Sequence, residues 1–155
     1  MPVTMQQVRA QLDRDEPDYP AAAGLGPEAL PHLRQLAQGD DPMLASKAVY
    51  LASLIGTDQS VTIVNEAAGK PDPIVRAAAA GAVRNLDQAP NQLLNSLLND
   101  QDAGVRKVAL RSIEASGPSS LPGDVATNVR DMAVNDPNPH LRQLAGGVIN
   151  RLSEE

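Results

Sequence analysis

Cysteine, phenylalanine and tryptophan are absent from this 155-residue chain, and Tyr19 and Tyr50 are its only aromatic residues. Without cysteine there are no disulfides, no thiolate nucleophiles, and no cysteine-held zinc or iron–sulfur sites. Without large rings, the core must be built from closely spaced aliphatic side chains; alanine alone fills 23 positions. No apolar run approaches the roughly 18 residues of a membrane span. The first residues, Met-Pro-Val-Thr-Met-Gln-Gln, show neither the basic stretch nor the apolar segment of a secretory signal, so a cytoplasmic location is expected. Nineteen acids face thirteen bases, and two histidines complete the ionisable groups besides the tyrosines. The length suits one domain spanning residues 1–155.

What is present is a recurrence. Asp41-Pro42-Met43-Leu44-Ala45 returns as Asp72-Pro73-Ile74-Val75-Arg76, as Asp102-Ala103-Gly104-Val105-Arg106 and as Asn138-Pro139-His140-Leu141-Arg142, at successive offsets of 31, 30 and 36 residues. Asp or Asn caps the free amides of a helix start, and Pro fits the first helical position, so each copy predicts a helix beginning near Pro42, Pro73, Ala103 or Pro139. Apolar residues then follow with helical spacing: Leu44, Ala48, Ala52 and Ile55; Val75, Ala79, Val83 and Leu86; Val105, Ala109 and Ile113; Leu141, Ala145, Ile149 and Leu152. A second set of stripes lies between them: Leu30, Leu33, Leu36 and Ala37; Val61, Val64 and Ala68; Leu93, Leu94, Leu97 and Leu98; Val125, Val129, Met132 and Ala133. The β-branched run Val61–Val64 falls at a helix position and reads as helix.

The sequence therefore predicts an all-α fold of four helix-turn-helix repeats, over residues 27–56, 57–87, 88–117 and 118–152, behind an N-terminal helical cap at 1–26. The cap has an amphipathic helix from Val3 to Arg14 and a short partner near Asp18-Tyr19-Pro20-Ala21-Ala22-Ala23. Two short helices cannot bury a stripe alone, so such units are expected to stack into a solenoid. The longer fourth spacing places extra, exposed and mobile loop residues between Ser116 and Asp124.

The pattern Asp-Pro-x-Val-Arg-x-Ala-Ala, matched best through Asp72, Pro73, Val75, Arg76 and Ala79, resembles the HEAT-repeat family, especially short bacterial HEAT-like repeats of the phycobilisome-lyase type. Asp102, Val105, Arg106 and Ala109 match it, as do Pro139, Leu141, Arg142 and Ala145, whereas Ala45 stands where Arg is expected. The resemblance implies a right-handed α-α superhelix, an armadillo-like solenoid. It also implies a structural ladder of Asp72, Asp102, Arg76, Arg106 and Arg142 tying neighbouring repeats together. Members of such families are mostly interaction scaffolds or adaptors. A lyase-like accessory or chaperone that handles a prosthetic group is the alternative function.

Catalytic chemistry finds no footing, and no catalytic, cofactor or metal site is expected. His32 and His140 are far apart and neither has a metal-spaced companion, and no His-Glu dipeptide supports a HEAT-like hydroxylase. Gly24-x-Gly26 and Gly146-Gly147 follow no strand, so they are not phosphate loops. A net charge of −6 and the absence of Trp and Phe argue against nucleic acid.

The charge is nevertheless sorted. Over 42–55, 73–86, 103–116 and 139–152 the second helices hold eight bases and only Glu114 as an acid, so the rest of the chain is strongly acidic. In the resembled family these helices line the concave face, which is then expected to be basic. Helical geometry turns Tyr50, Ala77, Gly81, Arg84, Lys107 and Arg111 outward there. Small residues admit a partner's backbone, and Tyr and Arg are favoured binding anchors, so the expected ligand is an acidic or amphipathic protein segment. Leu144, Val148 and Leu152 on the last repeat suggest end-to-end dimerisation or a partner there.

Overall fold

In the computed structural model, which describes residues 2–117 and 121–154, ten α-helices pack against one another and the described residues contain no strand. They are α1 (Met5–Leu12), α2 (Tyr19–Ala23), α3 (Leu30–Ala37), α4 (Pro42–Ile55), α5 (Asp58–Ala68), α6 (Pro73–Ala82), α7 (Asn91–Leu98), α8 (Ala103–Ser116), α9 (Gly123–Asn135) and α10 (Pro139–Glu154). None is long and apolar enough to cross a membrane.

The expected starts of α4, α6, α8 and α10 coincide with the observed ones. The cause is local: a carboxylate of Asp41, Asp72 or Asp102, or the Asn138 amide oxygen, accepts from the first free amides of each helix. At α1, Thr4 and Gln7 cap each other's backbone reciprocally, which starts the helix at Met5; it ends at Leu12, inside the predicted Val3–Arg14. Gly56, in the left-handed region at φ 76°, ends α4, where a side chain would strain the turn. α6 ends at Ala82 and tightens into a 3₁₀ turn over Val83–Asn85, earlier than the stripe to Leu86 predicts. Gly81 and β-branched Val83 weaken the helix there, and Asn85 donates to the Ser53 hydroxyl, tying the turn to α4.

Packing places α4, α6, α8 and α10 side by side in chain order, with α3, α5, α7 and α9 as a second layer against them. α1 contacts α3 and α4, while α2 contacts α4, so the N-terminal helices close one end of both layers. One continuous core runs between the layers. Val75, Ala79, Val83, Val105, Ala109, Ile113, Leu141 and Ala145 are buried at the predicted offsets. α5 is rotated from its predicted stripe: Ser60, Ile63, Val64 and Ala67 are buried while Val61 and Ala68 are half-covered. Ser60 can lie inside because its hydroxyl accepts the Thr57 amide.

The inter-unit ladder exists with different acids from those expected. Arg76 donates through Nε and Nη2 to Asp100 (2.9 and 3.2 Å), and Arg106 repeats the same geometry on Asp136 (2.9 and 3.2 Å). Asp72 and Asp102 are occupied as helix caps, so the carboxylates that reach the arginines stand two residues before a cap of the next unit. Arg142 donates to the Asp136 carbonyl and meets no acid among the described residues. Where Ala45 interrupts the arginine series, Lys47 donates to the carbonyls of Leu12 and Arg14, holding the end of α1.

In the other layer Arg34 binds Glu66 through two hydrogen bonds of 2.8 and 2.9 Å, and Gln38 adds a third. These bonds, Arg34's foremost, hold the Glu66 carboxyl below the ordinary carboxylate range against a smaller effect of burial. A lowered folded value means that this pair stabilises the fold above the unfolded carboxylate's value, about 4.3, and ceases to as pH falls through the folded one. Glu66→Gln should therefore flatten the acid limb of the stability–pH curve. Equal slopes for parent and variant in urea melts across that limb would refute the assignment.

Candidate functional site

Of the six residues expected on one exposed patch, only Lys107 and Arg111 line a common hollow. Tyr50 is half-buried, with the Tyr19 ring of α2 edge-on to it at 4.8 Å between centroids. Burial pushes the Tyr19 phenol up, and its neighbour Tyr50 adds to this. Ala77 packs partly against the core, and a Cβ on Gly81 would sit 3.6 Å from Val108 of α8, so both serve contact within the fold. Arg84 is exposed, with its guanidinium 3.4 Å from the Ser112 hydroxyl. Ser53, placed outward by the same helical geometry, is fully buried. Tyr50 is part-covered by α2 and Ser53 lies inside the fold, which angular spacing on a single helix does not register.

Lys107 and Arg111 remain, and the structure joins them to residues of α10. Burial of Val105, Ala109, Leu110 and Ile113 fixes the rotation of α8 and leaves Lys107 and Arg111 exposed, one turn apart. On α10, burial of Leu141, Ala145 and Val148 likewise leaves Gln143 and Gly147 exposed. Between the two helices lies an open groove of about 500 Å³, lined by Lys107, Arg111, Glu114, His140, Gln143, Leu144, Gly147 and Arg151. Gly147 faces open space, so its backbone is accessible at the groove surface.

The groove's charges are unevenly matched. Glu114 stands between Arg111 (3.4 Å) and Arg151 (3.8 Å), one carboxylate shared by two guanidinium groups. Lys107 is exposed and has no hydrogen bond or ion pair among the described residues. An excess of positive charge in a concave, partly shielded setting attracts carboxylates. Gln143 and Gly147 share their offsets from the helix cap with Lys107 and Arg111, so the same outward rows contain them, whereas His140 and Arg151 lie off those rows and were not picked out by sequence.

The chemistry elsewhere is sparse. No cluster of three or more potential metal ligands occurs among the described residues. His32 lies within hydrogen-bond distance of the Val3 carbonyl (2.8 Å), a tie to the N-terminal segment. A second hollow of about 550 Å³, between the ends of α6 and α8 and the start of α9, is lined mainly by apolar groups such as Val83, Leu86, Leu94, Ile113 and Leu121, with Asp87 the one ionisable group among its described lining residues. The exposed and mobile loop expected between Ser116 and Asp124 falls partly outside the described residues. Leu121 and Pro122, at its edge, are half-buried.

Of the C-terminal residues expected to take part in dimerisation, Val148 is fully buried, Leu144 is half-buried, packing on the core while lining the groove, and the Leu152 side chain lies outside the described residues. No protein-family model and no curated protein matches this sequence.

Proposed function

We propose that the protein is a non-enzymatic scaffold of stacked helical pairs, a HEAT-like superhelix, that binds an acidic protein segment in the groove between α8 and α10. The single observation carrying this reading is the uneven charge of that groove: Lys107 unpaired among the described residues, and Arg111 and Arg151 sharing one carboxylate. The recurring cap-and-stripe pattern and the side-by-side order of α4, α6, α8 and α10 support the architecture. Exposed side chains of this kind govern association rate and specificity more than fold stability, and a glycine surface lets an incoming backbone approach closely. A carboxylate-rich segment would bridge Lys107 and Arg111 and compete with Glu114 for Arg151.

Binding of a fluorescently labelled oligo-glutamate peptide, followed by anisotropy at low salt, tests this. The double reversal Lys107→Glu with Arg111→Glu should weaken binding by about tenfold or more and leave the thermal midpoint nearly unchanged. Parent protein that ignores the peptide, or a variant that binds it equally well, would refute the site. Raising salt should weaken parental binding, because the groove charges are solvent-exposed.

A further inference from the structure

The inter-unit ladder has an unused end. In each of its two completed rungs, an arginine Nη1 donates to backbone carbonyls of its own turn: Lys70 and Pro71 for Arg76, and Asp100 for Arg106. Its Nε and Nη2 then receive an aspartate of the next unit, at 2.9 and 3.2 Å in both cases. The receiving aspartate sits in a fixed setting, since its Oδ1 also accepts the amide of the cap two residues on, Asp102 or Asn138, at 2.9 Å. Arg142 begins a third rung: its Nη1 donates to the Asp136 carbonyl at 2.6 Å, which orients the fork, while no acid occupies Nε and Nη2 among the described residues.

A second feature of the same end points the same way. Leu98-Asn99-Asp100-Gln101-Asp102 and Val134-Asn135-Asp136-Pro137-Asn138 are equivalent turns. Leu98 is completely buried where α9 follows it, whereas Val134 is 73% exposed, the most exposed large apolar side chain among the described residues. The α9–α10 pair thus shows both a carboxylate receptor and an apolar contact that one further unit would cover.

The opposite end of the molecule carries the complement. Glu16-Pro17-Asp18 precedes α2 as Asp136-Pro137-Asn138 precedes α10, an acid two residues before a helix cap, and Asp18 accepts the Ala21 amide at 3.1 Å as a cap. Glu16 is exposed and pairs with no base among the described residues. We infer that the chain stacks head to tail on a second copy of itself, with Arg142 of one copy receiving Glu16 of the next beside Val134. Such a contact joins two different surfaces, so a two-fold dimer leaves it unsatisfied and assembly proceeds with concentration to a ring or an open filament.

Sedimentation velocity of the full chain from micromolar to millimolar concentration tests the inference. The parent should grow beyond dimer as concentration rises, and each of Arg142→Glu and Glu16→Arg should weaken association by about tenfold or more. Mixing the two variants should restore assembly, because the reversed pair and the original pair both match. Glu16 has no internal partner among the described residues, so Glu16→Arg carries the test even if Arg142→Glu disturbs folding. A parent that stays monomeric throughout, or association that Glu16→Arg leaves unchanged, overturns the inference. So does a monomeric parent whose Arg142 instead binds a synthetic Asn-Asp-Pro-Asn peptide, which would assign the fork to another protein.

Discussion

Asp136→Ala should lower the unfolding free energy by about 3–5 kcal/mol, read as a shift of the urea midpoint at constant m-value. The carboxylate is 3% exposed and the Arg106 side chain it serves is 12% exposed, so water cannot replace what is removed. Asp136 accepts two bonds from Arg106 and one from the Asn138 amide, so one substitution leaves a guanidinium, and the start of α10, short of acceptors. The exposed Arg9–Asp13 pair supplies the contrast, with N···O 3.9 Å and both side chains more than half exposed. Asp13→Ala should change stability by no more than about 0.5 kcal/mol. If the two substitutions prove equally mild, the ladder does not hold the units together.

Ile113→Ala should cost about 2–4 kcal/mol, through lost transfer free energy and the cavity left behind. Ile113 is 3% exposed and sits in the continuous core at the same offset from its cap as Val83. It also borders the hollow near the end of α8, so truncation enlarges an existing space that the surrounding helices do not fill. Val134→Ala removes a side chain of comparable kind from an exposed position and should stay within about 0.5 kcal/mol in dilute solution. Chemical denaturation of both variants against the parent separates the two environments. A midpoint for Ile113→Ala that coincides with the parent's would show that the register of α8 is wrong.

The helix starts were legible because each depends on contacts within a few residues. Asp41, Asp72, Asp102 and Asn138 bond amides two or three positions along the chain, and that chemistry is complete before any helix meets another. The buried stripes were readable for a similar reason, since a 3.6-residue period puts Val105, Ala109 and Ile113 on one face whatever covers it. The limits of this reasoning appear at α5, where Ser60 enters the core because a local hydrogen bond satisfies its hydroxyl.

By itself, then, the sequence determined the helices, their order and, outside α5, the main buried stripe of each, because these follow from caps and periodicity acting over one or two turns. Tertiary structure alone decided which charges are free. Asp100 and Asp136 serve the arginines because the turns of successive units meet there, while Asp72 and Asp102 are held by their own helix starts. Tyr50 is half-covered because α2 folds back with Tyr19, and Lys107 and Arg111 face a groove because α10 lies beside α8. An ion pair or a covered ring depends on distances between residues some thirty positions apart, and those distances are fixed by how helices stack.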